Sequence, residues 1–297
     1  MATIEIRGVK HFYSLTPSPN PSSPVLVFVH GWLLSCHYWQ PLVEQLSPVY
    51  QCLTYDLRGF GDSVISESKK PHSFASPSPR SHLDFSLAAY AQDLKILLQK
   101  LNVNNVWLLG HSLGGSIALW SAELCPQEVK GVICLNSGGG IYLKEEFKRF
   151  RTAGQQLVKR RPRWLVYLPF LDLAFARMMV ARPLARCWGS QRVIDFVRAD
   201  PQAALGALLH STTEAEVHLL PQIVSRLKQP VYFIAGDRDR VMEPQYVRHL
   251  ASFHFLFGDG GDNVFEIPHC GHLSMVEQPE AVGSLILQTV TKYPVEP

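Results

Sequence analysis

The strongest constraint on the fold is a set of five short, almost wholly apolar runs, each ending on polar residues. They are "VLVFVH" (25–30), "YQCLTYDL" (50–57), "NVWLLGH" (105–111), "KGVICLN" (130–136) and "PVYFIAGD" (230–237), with "NVFEIP" (263–268) as a weaker copy. Runs of this length without polar alternation belong to strands buried on both faces. Between them, residues 87–101, 116–124 and 246–253 have helical spacing. Strands alternating with helices predict an α/β fold with a mostly parallel central sheet flanked by helices. At the N-terminus, residues 4–6 and 12–15 read as antiparallel strands turning near Gly8.

In such sheets, ligands gather outside the carboxyl ends of the strands. The polar signatures of this chain fall at those ends. The sharpest is Gly110–His111–Ser112–Leu113–Gly114, which follows one apolar run and precedes a helical one. A tight strand-to-helix turn forces the central residue into a strained conformation, and side chains larger than hydrogen beside it would collide. The turn would lift the Ser112 hydroxyl clear of the sheet and leave the Leu113 backbone N–H free for an oxyanion. A serine in this position can also simply cap the helix.

Catalysis by a serine needs a general base, and that base needs a carboxylate to orient it. "FIAGDRDRVMEP" offers Asp237 and Asp239 after one strand, and "IPHCGHLSMVEQPE" offers His269 and His272 after the last. The order serine, acid, histidine is therefore available along the chain. His30 and His111 flank the serine and read as structural. Asp56 and Arg58 read as holding their own turn together, and Asp62 as a turn or cap residue.

These segments resemble the α/β-hydrolase fold family over essentially the whole chain. "FVHGW" is similar to its oxyanion loop, "YDLRGFGDS" to its turn after the next strand, and "GHSLGG" to its nucleophile elbow. "GDRDRV" resembles its acid turn and "CGHLSMVEQP" its histidine loop. The resemblance implies a catalytic triad of Ser112, Asp239 and His272, with oxyanion donors at the backbone of Trp32 and Leu113, and neither cofactor nor metal. A serine rather than an aspartate in the elbow argues against dehalogenase and epoxide hydrolase chemistry. The menaquinone-pathway member of the family carries an arginine after the elbow glycines, where this chain has Ser116.

Residues 141–223 interrupt the strand rhythm with a long, mainly helical segment. The resemblance makes it a helical cap inserted between the sixth and seventh strands, with 1–140 and 224–297 as the core domain. Between Phe147 and Arg198 it carries twelve basic and two acidic residues, in a chain whose formal net charge is only +3. The basic residues alternate with Trp164, Leu165, Tyr167, Leu168, Phe170, Met178 and Met179. That composition suits a cap over an apolar pocket, and equally a peripheral contact with an anionic membrane surface. Either way it points to a lipophilic substrate. "LNSGGGIYLKEEF", at the cap entry, loosely resembles cyanobacterial and plastid hydrolases of the pheophytinase and chlorophyll dephytylase group, which cleave phytyl esters.

The small net charge gives no case for a nucleic-acid partner. Six scattered cysteines without metal-ligand spacing suit a reducing, cytoplasmic setting. No apolar run is long enough to suggest a membrane span, and 66–86, rich in serine and proline, reads as a long mobile loop. The expected activity is hydrolysis of a carboxylic ester with a hydrophobic moiety. C–C bond hydrolysis, thioester hydrolysis and lyase chemistry are alternatives on the same triad, and a non-catalytic scaffold is a weaker one.

Overall fold

The computed structural model describes residues 2–63, 65, 84–139 and 144–293. Most of the expected loop at 66–86 and the junction at 140–141 lie outside the described residues.

The strands are β1 (Ala2–Ile6), β2 (Val9–Leu15), β3 (Val25–Val29), β4 (Cys52–Tyr55), β5 (Val106–His111), β6 (Val129–Leu135), β7 (Val231–Gly236) and β8 (Val264–Ile267). They form one eight-stranded sheet in the order β1-β2-β4-β3-β5-β6-β7-β8. β1 and β2 pair antiparallel, as does β2 with β4, and every other pairing is parallel. The apolar runs explain this arrangement. In β3, Val27 and Val29 face one apolar cluster while Leu26 and Phe28 face the other, and β5, β6 and β7 divide their residues in the same way. Each central strand therefore buries both faces, and no polar alternation survives in its sequence.

The helices are α1 (Gln40–Leu46), α2 (Leu87–Leu101), α3 (Leu113–Leu124), α4 (Lys144–Lys159), α5 (Leu171–Phe175), α6 (Arg186–Arg198), α7 (Pro201–Ser211), α8 (Glu214–Arg226), α9 (Pro244–Ala251), α10 (Ser274–Glu277) and α11 (Pro279–Val290). Leu94 and Leu97 of α2, Ile117 of α3, Ile223 of α8 and Val247 of α9 cover one face of the sheet. Leu42 of α1 with Val282 and Ile286 of α11 covers the other. α4 to α8 lie between β6 and β7 in the chain.

Two of the expected helices are offset, and the one expected at 246–253 is α9, Pro244–Ala251. The helix expected from Ser116 begins at Leu113, because the serine turn leads directly into it despite Gly114 and Gly115. Residue 223, where the expected cap segment ends, lies inside α8, which runs on to Arg226 through Pro221. Leu220, Ile223 and Val224 of α8 pack into the sheet's own core. Among the described residues, no helix is long and apolar enough to cross a membrane.

Candidate active site

The carboxyl ends of β3, β5, β6, β7 and β8 converge on one region. Ser112 sits between the end of β5 and the start of α3 with φ 51° and ψ −117°, in a region L-residues rarely adopt. Its N–H donates to the Leu135 carbonyl at 2.9 Å, and its own carbonyl accepts from the Gly115 N–H and the Ser137 hydroxyl, both at 2.9 Å. The glycines are steric requirements. A Cβ on Gly110 would lie 2.3 Å from the Gly114 carbonyl oxygen, and one on Gly114 would lie 2.1 Å from that of Val29. Leu113 is the first residue of α3, so its N–H has no acceptor within the helix.

Asp239 follows β7 and is buried. Its Oδ1 accepts from the backbone N–H groups of Val241 (2.8 Å) and Met242 (2.9 Å). Its Oδ2 accepts from His272 Nδ1 at 2.7 Å and from the Asn136 side-chain amide at 3.0 Å. Burial alone pushes this carboxyl up. The adjacent His272 and the hydrogen bonds outweigh it, and the net position is below the ordinary carboxylate value. With Nδ1 donating to a carboxylate, the Nε2 of a neutral His272 is left as the basic nitrogen.

Asp237 is exposed and accepts from the Cys270 N–H, and His269 is exposed and bonded to Arg238. Neither replaces Asp239 or His272 in the buried pair. His111 is buried and donates from Nε2 to the His272 carbonyl at 2.7 Å. Burial, then the neighbouring His272, pulls its pKa down to about 3, so it stays neutral and braces the histidine loop. His30 donates from Nδ1 to the Gly31 carbonyl and accepts from the Leu57 N–H at Nε2. It thereby ties the loop carrying Trp32 to the turn after β4. Within that turn Asp56 accepts from the Cys36 and Asp62 N–H groups, while Arg58 is buried against Asp93 at 2.8 Å. Asp62 pairs with Arg198 of α6, and so links the core to the inserted helices.

Two residues not singled out by the motifs complete the scaffold. Asn136, at φ 49°, bridges Asp239 and the Gly271 carbonyl through its amide and accepts from Ser274 Oγ at 2.6 Å. Glu277 accepts from the N–H groups of Gly271, Leu273 and Ala181, so one carboxylate spans the histidine loop and the insertion. The available signal for Asn136 was its place as the single polar residue closing the "GVICL" run.

Ser112, His272, Trp32 and Leu113 all line one cavity of about 310 Å³. The insertion contributes Leu157, Phe175, Met178, Met179, Phe196 and Leu208 to its wall, and the core adds Leu33, Leu34, Val241 and Met242. Arg192 also lines it, but its guanidinium donates to the carbonyls of Phe175 and Met178. Its charge is thus already engaged with backbone dipoles. The Trp32 indole donates to the Ala204 carbonyl of α7 at 2.8 Å, fixing that side chain across the cavity wall.

Comparison with known proteins gives a match to the alpha/beta hydrolase fold family over residues 24–279. Among curated relatives, 2-succinyl-6-hydroxy-2,4-cyclohexadiene-1-carboxylate synthase of Enterobacter sp. (strain 638) is 25% identical over 278 residues, covering 92% of this chain and 94% of its own. An esterase of Thermogutta terrifontis superposes with a TM-score of 0.73 at 20% identity, covering 98% of this chain and 99% of its own. A bromoperoxidase of Bacillus anthracis superposes with a TM-score of 0.75 at 18% identity, covering 98% and 99%. Names this diverse on one fold mean that chemistry has to be argued from the site.

Proposed function

Given that this chain belongs to the α/β-hydrolase fold family, we propose that it is a serine hydrolase cleaving a carboxylic ester with a hydrophobic moiety. His272 Nε2 takes the proton of Ser112 Oγ as that oxygen attacks the ester carbonyl. Asp239 holds the imidazole in the Nδ1–H tautomer and stabilises the imidazolium. The N–H groups of Leu113 and Trp32 receive the oxyanion, and one such donor typically contributes on the order of 3 kcal/mol to the transition state. The alcohol leaves with the proton from His272, and water activated by the same imidazole releases the acid.

The observation that carries this reading is the pairing of buried Asp239 at 2.7 Å with His272, which lines the same cavity as strained Ser112. The substrate class rests on the lining. It is mainly aliphatic and aromatic, and its arginine is occupied by carbonyls. The inserted helices then act as a cap, supplying about half of the apolar wall. A long isoprenoid alcohol such as phytol suits that wall, in keeping with the likeness of the cap entry to phytyl-ester hydrolases. The six cysteines are free, five of them buried, which suits a reducing compartment.

A second reading is the C–C or lyase chemistry suggested by the synthase relative. The name of that relative describes a carboxylate. A carboxylate ligand would need a free cation in the cavity, and among the described lining residues Ser116 is uncharged and Arg192 is already engaged. Hydrolysis of p-nitrophenyl esters from acetate to palmitate tests the proposal. Activity that rises with acyl length and is abolished by Ser112→Ala is expected. Activity on none of the series would overturn the ester reading.

A further inference from the structure

The chain between α4 and α6 exposes apolar side chains that the core leaves uncovered. Trp164 is 59% exposed, Tyr167 85% and Phe170 68%, and Leu168, Met178 and Met179 are exposed as well. This is ordered surface rather than a loose end. Residues 163–167 form a 3-10 turn that leads through Leu168–Phe170 into α5, and Leu165 and Phe175 from the same stretch pack against the core. A folded surface with this many large apolar side chains in one short stretch marks an interaction site.

The charges around it say what it meets. Lys159, Arg160, Arg163 and Arg182 are exposed and form no ion pair among the described residues. The acidic residue of the stretch, Asp172, is taken up by Arg186. A second copy of the chain docking on this face through a two-fold axis would bring like charges together. An anionic lipid surface would neutralise them, while tryptophan and tyrosine are favoured at the headgroup level of a bilayer. Met178 and Met179 are both exposed and part of the cavity wall, so apolar surface runs from outside into the space holding Ser112.

We propose that the Arg163–Met179 surface docks on an anionic lipid bilayer, and that lipophilic ester passes from the bilayer into the cavity beside Met178 and Met179. The identity of the ligand that enters rests on the hydrolase reading; the docking does not. Sedimentation of the full chain with phosphatidylcholine vesicles, with and without phosphatidylglycerol, tests it directly.

Binding to the anionic vesicles is expected, weakening as salt rises. The variant Trp164→Ser/Tyr167→Ser/Phe170→Ser should bind about tenfold more weakly, and so should Arg160→Gln/Arg163→Gln/Arg182→Gln. Both variants should hydrolyse soluble short-chain esters as the unmodified chain does, because none of these residues lines the cavity. Failure to bind anionic vesicles at any salt would overturn the docking, as would binding unchanged in both variants. Self-association that the aromatic variant abolishes, without vesicle binding, would also overturn it and assign the face to a second copy. Vesicle binding that both variants weaken, in a chain that hydrolyses no ester, would uphold the docking and count against the hydrolase reading alone.

Discussion

Asn136 donates its side-chain amide to the same Asp239 oxygen that receives His272 Nδ1, at 3.0 Å and 2.7 Å. The carboxylate is thereby fixed from two sides, and its orientation depends on a residue from a third strand end. Replacing Asn136 with glycine keeps the left-handed backbone at φ 49° but removes the amide, and also strips Ser274 Oγ of its acceptor. We expect kcat to fall about tenfold, a loss of about 1.4 kcal/mol, with little change in KM. Steady-state kinetics on a soluble ester checks this.

Gly114 faces the Val29 carbonyl with no room for a methyl group. Gly114→Ala must push the start of α3 away from β3, and should destabilise the chain by about 1–3 kcal/mol. Because the shift falls beside Ser112, activity should drop further than stability accounts for. Urea melts and initial rates on the same preparation separate the two effects.

Asp195 lies buried on α6, accepting from Ser35 Oγ at 2.8 Å and from the Gln191 amide at 3.0 Å. Burial raises its pKa to about 6 despite those two donors. The folded state thus holds a proton between about pH 4 and 6 that the unfolded chain releases. Stability from this group therefore falls as pH rises through that window and stays low above it. Relative to Asp195→Asn, the unmodified chain should gain about 1 kcal/mol between pH 7 and pH 5. Thermal melts of both proteins at the two pH values give the comparison.

Much of the sheet is legible in the sequence because strands buried on both faces have nowhere to place polar residues. The turn at Ser112 is legible for a related reason, since backbone packed 2.1–2.3 Å from where a Cβ would sit leaves only glycine. Asp239 is marked by its place after one such strand, β7, and His272 by its place after the weaker edge strand β8. The supporting groups are not. Asn136 meets Ser274, and Glu277 meets Ala181, only in space, and a sequence carries no local mark of such a meeting. The start of α3 at Leu113 is hidden by two glycines of low helix propensity, and the continuity of α8 across residue 223 by Pro221 in its interior. In both places tertiary packing overrides local preference.

The central claim is that Ser112 is a nucleophile activated by His272, and labelling with a fluorophosphonate followed by peptide mass spectrometry tests it most directly. Covalent modification is expected on Ser112 alone, with the rate falling at least a hundredfold in His272→Ala while the fold is retained by circular dichroism. A chain that stays folded yet is not labelled at Ser112, or is labelled equally fast without His272, would contradict the account.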